Sequence, residues 1–259
     1  MWTALLLAGQ RPGVDPLAAS FGVELKALIE VGGAPMLARV ARTLLACPEV
    51  ARVVVLAQDT AALTAHPGTA WIANEPRVAF AASGAGIAAS VAAIAGSAAA
   101  PWPVLVTTAD HPLLTPAMVA AFVAGAGDTD IAFGVVERRV VLAAYPDSRR
   151  TWLRFRGGAW SGANLFAITG PRARAALDLW AGVERNRKSG WRLLGQLGPG
   201  LLLGAALRVL TIHAAAARLG RRLGLTARAV ALPFAEAAID VDKAADHALA
   251  EALFRGRGA

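Results

Sequence analysis

Cysteine is almost missing from this chain: Cys47 is the only one. A lone thiol excludes an internal disulfide framework and any zinc site built on cysteine pairs. Long apolar runs are missing too. Hydrophobic residues make up 56% of the 259 and the mean hydropathy is +0.50. Much of that is alanine, however, and no stretch approaches the roughly 18–20 unbroken apolar residues of a spanning helix. The best candidate, "LLLGAALRVL" (201–210), is short and carries Arg208. At the amino-terminal end no basic segment precedes the apolar run, which stops at Gln10-Arg11-Pro12, so no secretory signal is expected and the expected location is cytoplasmic. Two phosphate-binding signatures, G-x-x-x-x-G-K-[ST] and G-x-G-x-x-G, are absent. No linker, low-complexity tract or internal repeat interrupts the chain, so 1–259 reads as a single domain, long enough to bury a real core.

Against those absences stands an uneven charge. Residues 1–129 hold 6 Lys/Arg and 8 Asp/Glu, whereas residues 130–259 hold 20 and 10. The excess clusters at Arg149, Arg150, Arg154 and Arg156, then Arg185, Arg187, Lys188 and Arg192, then Arg221 and Arg222. Such a half suits a phosphorylated substrate, an anionic membrane surface or nucleic acid, or is simply solvated arginine.

Short apolar runs alternate with alanine-rich helical ones. Residues 2–8, 51–57, 69–73, 103–110 and 130–136 read as strands, and the first, second and fourth are apolar enough to be covered on both faces. Residues 35–47 place Met36, Leu37, Val40, Leu44 and Leu45 on one helical stripe, and 86–96 do the same with Ile87, Val91 and Ile94. This alternation predicts an α/β fold, a Rossmann-like doubly wound and mostly parallel sheet. Further on, 138–146, 162–168 and 227–234 read as strands and 240–254 as a capped helix. Residues 171–224, broken at "GQLGPG" (195–200), read as a helical insertion.

Three constellations carry chemistry. The stretch from Gly9 to Lys26 leaves the first strand and presents Arg11, Gly13, Asp15 and Lys26. Glycine lets backbone N–H groups approach phosphate oxygens and the two cations neutralise them, although a plain surface loop has the same composition. In "VLVTTADHPLLTP" (104–116), Asp110 ends a central strand, where ligands bind in open α/β sheets. A carboxylate there suits Mg²⁺, and equally a turn or helix cap; His111 reads as structural. In "AIDVDKAADHAL" (238–249), Asp240 and Asp242 share a face and either can complete the metal site; an N-cap with accessory acids is the simpler reading.

Together these motifs resemble the MobA-like nucleotidyltransferases, a group that includes sugar- and polyol-phosphate nucleotidylyltransferases. "LLLAG-x-R-x-G" with "KALIEVGGAPML" is similar to that family's amino-terminal signature, "TTADHPLLTP" to its metal-binding strand end, and "DVDKAAD" to its closing motif. The resemblance implies that Leu7, Ala8, Gly9, Arg11 and Lys26 lie along the nucleotide, with Arg11 and Lys26 acting on its triphosphate. It implies Ser83, Gly84 and Ser90 near base and ribose, and Asp110 and Asp242 as ligands of Mg²⁺. The Gly9–Lys26 loop is longer than the family's, with "DPLAASFG" inserted, and lacks the R-M-G of the molybdopterin enzymes.

The implied reaction is attack of an acceptor phosphate on the α-phosphorus of an NTP. The nucleophile is ionised at pH 7, which agrees with a sequence that offers no His/carboxylate dyad. In 152–164, Arg154 and Arg156 are the expected clamp on the acceptor phosphate, with Gly162 and Asn164 beside it; solvated arginines on a hairpin are the alternative. CTP is expected ahead of GTP, and the acceptor is a phosphorylated small molecule or lipid precursor. No nucleic-acid partner is expected. A non-catalytic protein that binds nucleotide, or a membrane surface through the basic insertion, is the rival reading.

Overall fold

The computed structural model describes residues 1–10, 13–84, 86–185 and 209–257. Its centre is one sheet built on β1 (Trp2–Leu7), β4 (Val50–Ala57), β5 (Val78–Ala82), β6 (Val104–Thr108), β7 (Ile131–Glu137), β9 (Gly158–Ile168) and β10 (Ala227–Ala231), with β8 (Leu153–Phe155) hairpinned onto β9. The order is β10-β7-β9-β6-β1-β4-β5, and only β9 runs against the rest. Leu5, Leu6, Val53 to Val55 and Val104 to Val106 are all buried, as strands covered on both faces must be. The predicted doubly wound, mostly parallel sheet is what the chain forms.

The order of the strands sets the site. From β1 the chain steps outward to β4 and β5, then returns to β6 on the other flank of β1. The winding therefore reverses between β1 and β6.

Helices cover both faces: α1 (Pro16–Ser20), α2 (Met36–Ala46), α3 (Thr60–Ala65), α4 (Ile87–Ile94), α5 (Pro116–Ala126), α6 (Arg138–Ala144), α7 (Arg174–Arg185), α8 (Ile212–Arg222) and α9 (Ala244–Arg257). Met36, Leu37, Val40 and Leu44 of α2 are fully buried, so the predicted stripe is its core face. Before α2 the Gly32-Gly33 pair, at φ 59° and 79°, joins the short strands β2 (Glu30–Val31) and β3 (Ala34–Pro35). Two successive left-handed residues are the reason for two glycines in "VGGAP".

Two expected strands are not strands. Residues 70–74 form a 3-10 turn, with the Thr69 hydroxyl bonded to the Leu63 carbonyl, and the edge strand is Val78–Ala82 instead. Residues 138–144 form α6, with Val141 in the core. Both are short apolar runs whose periodicity fits either state, and packing decided. Residues 195–200, most of 201–210, and Arg187, Lys188 and Arg192 lie outside the described residues. The flanks of the predicted insertion pack onto the body: Leu177 and Ala181 of α7 and Ala216 of α8 are buried, and the rings of Phe166 and Trp180 lie 5.3 Å apart. Among the described residues, no helix is long and apolar enough to cross a membrane.

Candidate active site

Leu7 pairs with Thr108 across the β1–β6 junction, and the Ala109 N–H donates to the Leu7 carbonyl (2.9 Å). The two chains therefore leave the sheet side by side, at the reversal of the winding where open α/β sheets take ligands. A concavity there is lined by Leu7, Ala8, Gly9, Gln10, Lys26, Ala27, Ala109 and Asp110. These include five of the sequence-predicted nucleotide residues. Arg11 lies outside the described residues.

Gln10 organises the loop. Its side-chain carbonyl accepts the Lys26 N–H (3.2 Å), and its amide donates to the carbonyls of Glu24 (3.1 Å) and Gly13 (3.5 Å). Its own N–H donates to Gln58 Oε1 (3.1 Å). A Cβ on Gly9 would lie 2.7 Å from that same oxygen, so glycine allows the close approach. The inserted "DPLAASFG" is α1 with its Asp15 cap; Leu17 packs with Ile29, Met36, Leu113 and Val241, tying the loop to the carboxyl-terminal segment.

Lys26 stands at the centre. Its Nζ lies 2.7 Å from Asp110 Oδ2 and 2.5 Å from Asp242 Oδ1. Burial pulls the ammonium down, but Asp110 and then Asp242, through charge and hydrogen bonds, leave it above its ordinary value. Thus three residues separated by up to 216 positions meet on one nitrogen, and the cation predicted for the triphosphate holds the two predicted metal ligands.

Asp110 Oδ1 and Asp240 Oδ1 are buried and make no hydrogen bond, and neither do the hydroxyls of Thr107 and Thr108. A buried carboxylate oxygen left unmet beside the concavity, as Asp110 Oδ1 is, is where a ligand, ion or water belongs. His111 is 1% exposed; burial pulls its imidazole down to about 4 against the opposing pull of Asp110, so it is neutral. That agrees with the structural role expected of it. Among the described residues no three His, Cys, Asp or Glu side chains form a metal cage. The pair Asp110 and Asp242 suits a cation that takes its other ligands from substrate and water.

One residue escapes the sequence reading as a site residue. Arg150 places Nη2 against Asp240 Oδ1 and Nη1 3.8 Å from Asp246 Oδ1. Burial lowers its guanidinium while Asp246, Asp242 and Asp110 oppose the shift. In sequence it is one arginine of a basic cluster, and only the return of the chain at 240–246 distinguishes it.

Asn164 belongs to the same group. Its Nδ2 donates to Asp240 Oδ2 (3.3 Å), and its φ of 48° is left-handed. The register of β7 and β9 shifts between Phe133 and Val135, with Gly162 opposite Val135 and Phe166 opposite Phe133. β9 bulges there, and the bulge aims Asn164 at the site while Ala163 and Leu165 stay buried. Gly162 lies within the same strand. Arg154 and Arg156 do not join them: both are exposed on the β8–β9 hairpin, and Arg154 pairs with Ala159, about 17 Å along the strand from Asn164.

Ser83, Gly84 and Ser90 form a compact turn after β5. Ser90 Oγ accepts the Gly84 N–H (2.8 Å), lies 3.1 Å from Ser83 Oγ, and donates to the Gly86 carbonyl (2.7 Å). The next two amides, Ile87 and Ala88 at the start of α4, donate to the Glu184 carboxylate of α7 (2.9 and 3.1 Å).

The family described as MobA-like NTP transferase domain matches residues 5–197. A hypothetical transferase from Thermus thermophilus superimposes with a TM-score of 0.77 at 28% identity, covering 95% of this chain and 98% of its own. A CMP:2-keto-3-deoxy-manno-octonic acid synthetase, solved with CTP, gives 0.60 at 15% identity over 99% and 100%. A 2-C-methyl-D-erythritol 4-phosphate cytidylyltransferase, also from Thermus thermophilus, gives 0.52 at 20% over 98% and 100%. The last two share the fold. No curated protein matches the chain by sequence.

Proposed function

We propose that this chain, which belongs to the MobA-like NTP transferase domain family, moves the nucleoside monophosphate of an NTP onto a phosphorylated acceptor and releases pyrophosphate. The observation that carries this reading is the meeting of Lys26 with Asp110 and Asp242 at the reversal of the sheet. An acceptor phosphate oxygen attacks the α-phosphorus in line, and the bond to the β-phosphate oxygen breaks as pyrophosphate leaves. The nucleophile is already ionised, so no side chain need take a proton, in keeping with a sealed, neutral His111. What remains is positioning and charge neutralisation. Gly9 and Lys26 hold the phosphates, with Arg11 in the same loop, and Lys26 exchanges its carboxylates for phosphate oxygens when the nucleotide enters. Ser83, Gly84 and Ser90 face base and ribose, and Asn164 faces the acceptor.

Four carboxylates, Asp110, Asp240, Asp242 and Asp246, meet two cations, Lys26 and Arg150. That leaves an excess of two negative charges and an unmet oxygen on Asp110, which fits Mg²⁺ held by Asp110 and Asp242. Such an ion supplies charge neutralisation for the triphosphate and the departing pyrophosphate. CTP is our preferred nucleotide, supported by the fold shared with a synthetase solved with CTP and with a cytidylyltransferase. The acceptor is a phosphorylated small molecule or lipid precursor.

Thermal unfolding with Mg²⁺ and each of the four NTPs tests the reading in wild type and Asp110→Ala. A nucleotide at about 100 times its Kd adds roughly 2.7 kcal/mol to the native state. One NTP should shift wild type and not the variant, and acceptor phosphates then screen for pyrophosphate release. The absence of a shift with every NTP overturns the proposal.

A further inference from the structure

The acidic motif Asp240-Val241-Asp242 offers two carboxylates on one face, and the sequence does not choose between them. We infer that Arg150 is a positioning residue that makes the choice: it withdraws Asp240 and Asp246 from cation binding and leaves Asp242 as the partner of Asp110. The inference rests on the nucleotidyltransferase reading and deepens it at the same site.

The geometry is specific. The Val241 N–H donates to the Asp110 carbonyl (2.8 Å), so both flanking acids are held close to Asp110. Asp240 is engaged at both oxygens: Oδ1 makes an ion pair with Arg150 without a hydrogen bond, and Oδ2 accepts from Asn164 at 3.3 Å. Asp246 turns Oδ1 toward Arg150 and accepts the Asp242 N–H on Oδ2 (3.3 Å). Asp242 differs: its side chain is 63% exposed and Oδ1 rests on Lys26, which also holds Asp110. A planar guanidinium presents five donors in a fixed fork, so it can face two carboxylates at once in one rigid geometry. Arg150 itself is only 15% exposed, so its charge is little screened and the pairing endures when substrate comes and goes. Lys26 is the exchangeable cation of the site and Arg150 the fixed one. Without Arg150, the Asp240 charge is unbalanced beside Asp110 and competes for any divalent ion entering the cleft.

The test is Mn²⁺ binding to the nucleotide-free full chain, followed by electron paramagnetic resonance. Asp242→Asn should weaken binding about tenfold or more, whereas Asp240→Asn should leave it within about twofold. Arg150→Gln should tighten binding about tenfold by releasing Asp240, and the double variant Arg150→Gln/Asp240→Asn should return it toward wild type. A merely structural role for Arg150 predicts lower stability in both variants and no such reversal. Equal losses in Asp240→Asn and Asp242→Asn overturn the inference, as does failure of the double variant to revert. If Arg150→Gln does not fold, the comparison of Asp240→Asn with Asp242→Asn decides alone. NTP shifts retained in wild type while these contrasts fail remove only this inference; Mn²⁺ contrasts retained while no NTP binds remove the transferase reading and keep the ligand choice. Absence of Mn²⁺ binding in wild type removes the inference outright.

Discussion

Lys26 holds two carboxylates with one ammonium, and the same three donors are what a triphosphate would need. The two uses exclude each other, which gives this residue a prediction with opposite signs. Lys26→Gln should weaken NTP binding about 10- to 100-fold, the worth of a charge-assisted hydrogen bond. It should also tighten Mn²⁺ binding in the absence of nucleotide, because both carboxylates lose their internal cation. Calorimetric titration of the two ligands separately checks this; weakening of both would show that Lys26 shapes the cleft rather than holding it closed to cations. In "DVDKAAD" the sequence offers Asp240 and Asp242 as alternatives, and it marks Lys26 and Asp110 by the motifs that contain them. It has no means of showing that they touch.

At the scale of elements, α7 and α4 form a clasp. Glu184 receives two amides at the start of α4, and Arg174 Nη1 donates to the Ala92 carbonyl near its end (3.2 Å). Gly86, the N-cap, offers no side chain to those amides, and a Cβ there would lie 2.7 Å from Glu184 Oε2. A carboxylate brought from another helix thus does the work of a local cap, helped by the dipole of α4. Glu184→Ala should cost about 1 kcal/mol, read by denaturant unfolding, with faster hydrogen exchange at Ile87 and Ala88. Unchanged exchange there would deny the clasp. Since α4 follows the Ser83–Ser90 turn, loosening it should reach the nucleoside end of the cleft before the phosphate end. Sequence separation hides this cap: it joins positions 96 and 97 residues apart, and a helix start without Ser, Thr, Asp or Asn carries no local sign of its partner.

The whole molecule feels His111 through its protons. Folded, burial holds the imidazole at about 4, below the 6.5 of an exposed histidine. Between those values the unfolded chain takes up a proton that the folded chain does not, so stability is fully present above pH 6.5 and falls as the pH drops toward 4. The loss is about 3 kcal/mol from this one group, with none further below pH 4. Denaturant unfolding from pH 7 to 4 should show the decline, and His111→Gln should flatten it; an undiminished slope in that variant would assign the acid sensitivity elsewhere.

Hydrophobic pattern determined much of this protein from the sequence alone. Continuous apolar runs at β1, β4 and β6 specify strands covered on both faces, and the stripe of α2 specifies its buried side. These are local signals, legible wherever a few neighbouring residues suffice. Short runs such as 70–74 and 138–144 lack that redundancy, and there the packing partner chose the conformation. The position of Asp110 at a strand end was legible; its neighbours were not. Only the tertiary structure decided that Lys26 joins Asp110 to Asp242, that the bulge of β9 turns Asn164 to Asp240, and that Arg150 rather than Arg154 or Arg156 reaches the acids. The physical reason is the same each time: a hydrogen bond or ion pair depends on distance in space, and the chain brings these residues together only when the sheet has closed around β1 and β6.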